Sequence, residues 1–418
     1  MLHNFRAQWS TEHLTRLVQV VLLYAGWPHP GQRIAISHDS RQVSRLAAEH
    51  IMQALTKTER VWLGLATTPV ASNFGVQSDV DVVHVTASHL PPDFVGLKLM
   101  RRGMAIQVDE ERRLRSETDL YRPAAPLMNS SPVNSSPVKT EECPGSDTSA
   151  HAWEMYSNRL RMKLGPRMRT AVVEVRTAWV EVFEKFFPEL LIVSRDSTDV
   201  AREQSPPASS DSNEIILRLD EDADQLVVWR GASRIAGSEL LINWLTHNAT
   251  DHIGPVVVSY DTPLAVTRAP ALRGRPIAFT PVGDQYITHT LKQCGATIGG
   301  EPNGHLIDAT WLSGPDGLMS GLTLLDKVSG WQSSDGGVLR FAFLLEQAER
   351  ERLKSSFLTS AFALRHGLWE WTNNGRRCLV RFSTYEDSVI VQAENFLSPA
   401  QIPLPAWIKN KPFDILDF

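Results

Sequence analysis

Cysteine is nearly absent: Cys143, Cys294 and Cys378 are the only three in 418 residues. Widely spaced and odd in number, they exclude a disulfide framework and zinc-ligand spacing, and they fit a reducing cytoplasm. Long apolar runs are missing too. The stretch 17–24 is too short to span a bilayer, and residues 1–10 are too polar for a signal peptide. Nor does charge of one sign dominate. A net charge of −5, from 42 Lys and Arg against 47 Asp and Glu, points to neither nucleic acid nor an anionic membrane as a partner. What remains is an ordinary globular composition, 42% apolar and 21% charged, able to bury substantial cores. The length leaves room for roughly two to four domains. The expectation is a cytoplasmic protein of several domains, monomer or homodimer.

Patterning gives the class. Apolar residues at Leu14, Leu17, Val18, Val21 and Leu22 have helical spacing over 11–24. Short apolar runs at 33–37, 61–65 and 81–85 read as strands, with an amphipathic helix at 42–55 and a turn at 67–69. Such alternation predicts an α/β domain with a largely parallel sheet, whose strand-end loops carry the chemistry. From 122 to 150 the composition shifts to Ser, Pro, Asn and Thr, and 129–133 is repeated as 134–138, which reads as a flexible linker. Helix and strand signals resume at 151–164, 170–175, 181–187, 190–193, 215–219 and 226–228, with a long polar surface loop at 194–213. They continue with strands at 256–259 and 276–280 and a helix opened by Asp316. The end of the chain reads as a helix over 337–353 and strands at 368–371, 378–382 and 388–393, a small α+β unit.

Two stretches carry chemistry. In residues 84–99, HVTASHLPPDFVGLKL, an apolar strand runs into a turn holding Ser88 beside His89, and Lys98 returns on a short second strand. A seryl oxygen with a nearby basic group suits covalent catalysis, while an isolated Ser-His pair more often only caps a turn. Downstream, the strand 215–219 delivers Asp220, Asp222 and Asp224 into a loop. Alternate aspartates can aim their oxygens at one point, and oxygen-only donors suit a hard ion, Mg²⁺ before Ca²⁺ when phosphate shares the site. An acidic solvated hairpin is the other reading, and the glycine and distal glutamate of an EF-hand are absent.

These stretches resemble motifs of the α-D-phosphohexomutase superfamily. Thr86, Ala87, Ser88, His89, Pro91, Gly96 and Lys98 fall in register with its phosphoserine loop, T-A-S-H-N-P-x-x-x-N-G-x-K, with Leu90 and Val95 in place of asparagines. Residues 220–225 resemble its metal loop, D-G-D-x-D-R, with Glu221 for the glycine and Gln225 for the arginine. Asp39 and Arg41 resemble its D-x-R, and 280–287 its T-x-V-G-D-x-Y-I turn with Asp284. Residues 299–305 resemble its sugar loop, G-G-E-x-S-G-H, with Asn303 for serine, and 381–386 its phosphate loop, R-x-S-x-T-E, with Tyr385 for threonine; Asp387 replaces the proline that follows. The opening Phe5-Arg6-Ala7 is only a fragment of the family's first loop, and no role is carried to Arg6.

The resemblance implies three α/β domains with mixed, largely parallel sheets and a small C-terminal α+β domain around a central cleft. The expected boundaries are 1–122, a linker at 123–150, then 151–254, 255–330 and 331–418. It further implies interconversion of hexose 1- and 6-phosphates, of glucose or mannose, through a phosphoserine and a bisphosphorylated intermediate. Ser88, Lys98, His89 and Arg41 would be catalytic, and Ser88 with the three aspartates would hold Mg²⁺. Glu301, Asn303, His305, Asp284, Arg381, Ser383 and Glu386 would bind substrate, and a hexose 1,6-bisphosphate would be the activator. The partner is a small phosphosugar. The substituted motif positions support a second reading, a catalytically impaired mutase-like protein that binds phosphosugars in a regulatory role. A phosphatase or glycosidase would leave the phosphate loop unexplained.

Overall fold

The first domain is built on a parallel sheet closed by one hairpin strand. This computed structural model describes residues 5–26, 33–88, 90–120, 146–165, 168, 171–195, 206–207, 214–248, 254–328, 338–358, 360–365, 368–382, 388–409, 411 and 414–415. Its elements begin with α1 (Thr11–Gly26), β1 (Ile34–His38), α2 (Gln42–Ala54), β2 (Arg60–Leu65), α3 (Thr68–Ser78), β3 (Asp81–Val85), β4 (Leu97–Arg101) and α4 (Val108–Leu120). Central β1 pairs in parallel with β2 and β3, and β4 returns antiparallel on β3. The segment 67–69, expected as a turn, opens α3 instead: Pro69 lies in its first turn, where the missing N–H costs no helical hydrogen bond. The last residues of the expected linker are ordered, since Ser146–Asp147 joins the sheet beside β2. Residues 121–145 lie outside those described.

Two further sheets repeat the plan. In the second, α5 (Ser149–Leu164), β5 (Val172–Arg176), α6 (Val180–Phe186), β6 (Leu191–Arg195), β7 (Ile215–Leu219), β8 (Leu226–Arg230) and α7 (Gly237–Asn248) follow one another. There β6 and β7 flank β5 in parallel and β8 pairs antiparallel with β7. In the third, β9 (Val256–Ser259), α8 (Leu264–Thr267), β10 (Ile277–Thr280), α9 (Asp284–Cys294), β11 (Ile298–Gly300), β12 (Leu306–Asp308) and α10 (Gly317–Val328) do the same. Here β9 is parallel to β10 and β11, and β12 turns back on β11. Parallel strands buried on both faces explain the unbroken Val and Ile runs, such as Val256-Val257-Val258, all at most 1% exposed. One apolar core is shared by all three sheets; Trp153 and Tyr156 of α5, Trp179, and Trp244 of α7 lie within it.

The last sheet is antiparallel: β13 (Val338–Leu344), α11 (Gln347–Leu358), β14 (Leu368–Asn373), β15 (Arg376–Phe382) and β16 (Ser388–Glu394), with β16 between β15 and β13. The helix expected over 337–353 is therefore corrected to a strand followed by a helix. Residues 338–344, VLRFAFL, alternate: Phe341 and Phe343 face the core with Val389 and Val391, while Arg340 lies opposite Gln392 on the other face. A period of two fits a strand, and tertiary pairing settles it. No helix among the described residues is long and apolar enough to cross a membrane.

Candidate functional site

Parallel strands release their loops at one end, so the ends of β1, β3, β7 and β11 deliver Asp39, Ser88, Asp220 and Glu301 respectively. Ser88 adopts φ +52°, in the left-handed region that L-residues enter at a cost. The turn is held from both sides. Thr86 Oγ1 accepts the Ser88 N–H at 3.0 Å, and the buried Arg41 guanidinium donates to the carbonyls of Ser88 and of Leu90, the latter at 2.7 Å. Arg41 is itself oriented by Asp39 Oδ2 at 2.5 Å. Burial disfavours its charge, but Asp39, Glu221 and Asp222 overcome this and raise its pKa.

The Ser88 hydroxyl donates to Asp220 Oδ2 at 3.1 Å. Oxygens of Asp220, Asp222 and Asp224 lie within 4.8 Å of one another. The loop curls because Ala223 takes φ +58°. Lys98, on β4, reaches across from the first domain to Asp222 Oδ2 at 2.6 Å and to Asp224. Thr68, at the start of α3, donates to Asp222 Oδ2 at 2.7 Å and its N–H to the Asp222 carbonyl at 2.9 Å. The cluster divides its protons unequally. Burial first, then Asp222 and Asp224, push the Asp220 carboxyl well above its usual range. For Asp222, burial acts upward, but Lys98 overrides it and holds that carboxyl well below. Lys98 itself is raised: burial opposes its charge, and Asp222 and Asp224 more than compensate.

Glu221 settles into its own niche. Its side chain turns away from the three aspartates to meet Arg176 Nε at 2.7 Å and to accept from Ser40 Oγ. Trp179 Nε1 donates to its carbonyl at 2.8 Å. It needs no left-handed backbone, because Ala223 carries the positive φ of this loop. Gln225 Nε2 donates to the Asn303 carbonyl and so ties the acidic loop to the 299–305 segment. Gly304, φ +100°, makes that approach possible: a Cβ there would stand 2.1 Å from the Leu226 carbonyl oxygen.

In that segment His305 bridges Glu301 Oε2, 3.2 Å from Nδ1, and Asp224 Oδ1, 3.6 Å from Nε2. Burial works against its charge, but the two carboxylates raise its pKa well above the ordinary value. Glu301 Oε1 accepts the Gly283 N–H at 2.7 Å, and Asn303 Oδ1 accepts the His305 N–H at 3.2 Å. Asp284 opens α9 and lines a cavity of about 50 Å³ together with Lys98, Thr68 and Phe5. Arg381 lies on β15, partly buried. His89, Ser383 and Glu386, along with Tyr385 and Asp387, lie outside the described residues.

Two residues take a place at the site that the sequence reading did not give them. Ala7–Gln8 pairs antiparallel with Phe94–Val95, which brings Arg6 to the Ser88 loop. Its charge bears on Lys98. Its Nε is buried with no hydrogen-bond partner among the described residues. The signal was long-range pairing, invisible in a two-residue strand. His84 is the other. It lies opposite Lys98 across β3 and β4, fully buried, with Nδ1 2.9 Å from Ser37 Oγ. Burial, with Lys98 adding to it and Asp222 opposing, lowers its pKa to about 4.

The His84 shift has a measurable consequence. Its folded pKa lies below the unfolded 6.5, so the unfolded chain binds the extra proton first. Its contribution is fully present above pH 6.5 and is lost as pH falls towards 4, on the order of 3 kcal/mol in all. Urea unfolding of wild type and His84→Gln across pH 7 to 4 should show the two curves converging as the pH drops. Parallel curves would refute it.

The architecture has known counterparts. Residues 4–123 match the family model for phosphoglucomutase/phosphomannomutase, alpha/beta/alpha domain I, and 237–335 match that for domain III. A probable phosphoglucosamine mutase of Pyrococcus furiosus is 25% identical over 319 residues, covering 71% of this chain and 68% of that protein. The phosphoglucosamine mutase of Rubrobacter xylanophilus is 26% identical over 283 residues, covering 63% and 61%. Among solved structures, a phosphoglucomutase/phosphomannomutase family protein of Burkholderia thailandensis superposes with a TM-score of 0.68 at 16% identity, covering 93% of this chain and 91% of its own. A putative phosphomannomutase of Thermus thermophilus gives 0.66 at 18% identity, covering 93% of each chain. With two domain models matched in order and the fold shared along nearly its whole length, the chain belongs to the α-D-phosphohexomutase superfamily of phosphomutases.

Proposed function

We propose that this chain interconverts hexose 1- and 6-phosphates, with Ser88 carrying the transferred phosphoryl group. The observation that carries the reading is the Ser88 hydroxyl, which donates to Asp220 at 3.1 Å, with Asp222 and Asp224 clustered beside Asp220, Lys98 paired with both of these, and Arg41 on the Ser88 carbonyl. The three aspartates suit Mg²⁺: their oxygens converge, and Asp222 Oδ1 is buried without a hydrogen-bond partner among the described residues. When bound there, the ion would offset charge on the phosphoryl oxygens.

The chain's own residues do the rest. Arg41 fixes the Ser88 turn through two carbonyls, so Oγ keeps one position while substrate exchanges. As the serine Oγ–phosphorus bond breaks, a sugar hydroxyl forms the new oxygen–phosphorus bond, and its proton ends on the released Ser88 oxygen, restoring the serine hydroxyl. Lys98, paired with Asp222 and Asp224, brings a positive charge to the side of the serine where negative charge is transferred. Glu301 and Asn303 would hold the sugar hydroxyls and Arg381 the non-reacting phosphate. Turning the intermediate round between two transfers requires a wide cleft closed by the last domain.

The relatives' names add glucosamine phosphate to glucose and mannose phosphates as a substrate to test. A coupled assay with each 1- or 6-phosphate, Mg²⁺ and the matching 1,6-bisphosphate should show turnover in wild type. The substitutions at 90, 95, 225, 385 and 387 favour the second reading, a phosphosugar-binding regulator. Silence with all three sugars, together with turnover gained in Gln225→Arg, would establish it.

A further inference from the structure

A second cavity, of about 430 Å³, lies between the third sheet and the last domain, lined by α8, Phe279 of β10 and the 372–377 hairpin tip. That size falls in the range of small-ligand pockets. It stands apart from the catalytic loops. Strand β15 starts at this cavity with Arg376 and Arg377 and carries Arg381 near its other end. Arg381 lies four positions beyond Arg377, roughly 13 Å at ~3.3 Å per residue.

Its chemistry is cationic with one aromatic surface. Arg377 is already committed: it bonds Glu370 Oε1 at 2.8 Å and the carbonyls of Tyr260 and Thr262 at 2.8 and 3.0 Å. That leaves Glu370, the one carboxylate among the described residues lining the cavity, neutralised. Arg268 and Arg376 line the same cavity, and both are exposed. Phe279 is 42% exposed, and its ring stacks on Tyr260 at 5.8 Å and 10°. Asn373 and Asn374 add amide donors and acceptors at the tip.

We infer that this joint is a binding site for a nucleoside diphosphate, its phosphates taken by Arg268 and Arg376 and its base laid on Phe279. Guanidinium forks match phosphate oxygens, and an exposed ring offers a face to a planar base. The site touches the strap by which Arg377 grips residues 260 and 262, on the strand that carries Arg381. Occupancy therefore bears on how the last domain sits over the cleft.

The test is calorimetric titration of the full chain with UDP, uridine and inorganic phosphate. UDP should bind at least about tenfold tighter than either fragment. Arg268→Ala should weaken UDP by roughly tenfold, and Phe279→Ala should weaken UDP while leaving phosphate unchanged. Arg381→Ala should leave UDP binding intact, and thermal melts should confirm that all variants are folded. The proposal is overturned by no UDP binding, by UDP binding no tighter than phosphate, or by loss in Arg381→Ala with Arg268→Ala unaffected. That last pattern would put the nucleotide in the catalytic cleft.

Discussion

Ser88→Ala is expected to remove the protein-bound phosphate and to cut mutase turnover by at least about four orders of magnitude, the scale on which covalent nucleophiles fail when deleted. The reason is local. The hydroxyl oxygen is the only atom the change removes, and the surrounding groups, Asp220, Arg41 and Lys98, are held by partners other than that oxygen. Alanine also meets the same left-handed backbone as serine, so the fold should survive and the melting temperature should move by only a few degrees. Intact mass of the purified protein would report one phosphate in wild type and none in the variant. A variant that keeps either its phosphate or its turnover would place the phosphoryl group elsewhere.

Lys98→Met should destabilise the protein by about 3–5 kcal/mol, the cost of leaving buried charge without its partner. Asp222 and Asp224 are both at most 1% exposed and share this one ammonium. Methionine fills the volume and leaves Asp222 with the Thr68 hydroxyl in place of a cation, and Asp224 with His305 alone. The contribution of Asp222 is the kind that grows with pH: its folded pKa is depressed, so the stability is present above the usual carboxylate range and fades on acidification. Urea unfolding at pH 7 with a chelator present would show the loss, and at lower pH the variant and wild type should draw closer. Lys98→Arg keeps the charge and should recover part of it. Equal midpoints for wild type and Lys98→Met would mean that the first and second domains do not depend on this bond.

The large features were written in local patterns. Unbroken Val and Ile runs marked buried parallel strands, and strand-end loops marked where the chemistry would sit. Residues 84–99 and 220–224 stand out because hydroxyl, ammonium and carboxylates follow strands at short range. What failed to show was non-local. Residues 338–344 are strand because Phe341 and Phe343 find a sheet to pack in, a fact about residues fifty positions on. Arg6 reaches the site only through a two-residue pairing with Phe94–Val95. The direction of Glu221 was undecidable because its partners, Ser40 and Arg176, lie in other loops and a different strand.

That last contact makes position 221 a matter of contingency. The glycine of the family pattern would be a poor replacement in this particular chain. It would strip Arg176 and Ser40 of the acceptor they converge on, and leave a guanidinium with 18% side-chain exposure facing a cavity where a carboxylate had been. Residues 40, 176 and 221 form one unit whose members must change together. A comparison that scores motif positions one at a time counts Glu221 as damage; taken with its two neighbours, it is a different solution to the same local charge balance.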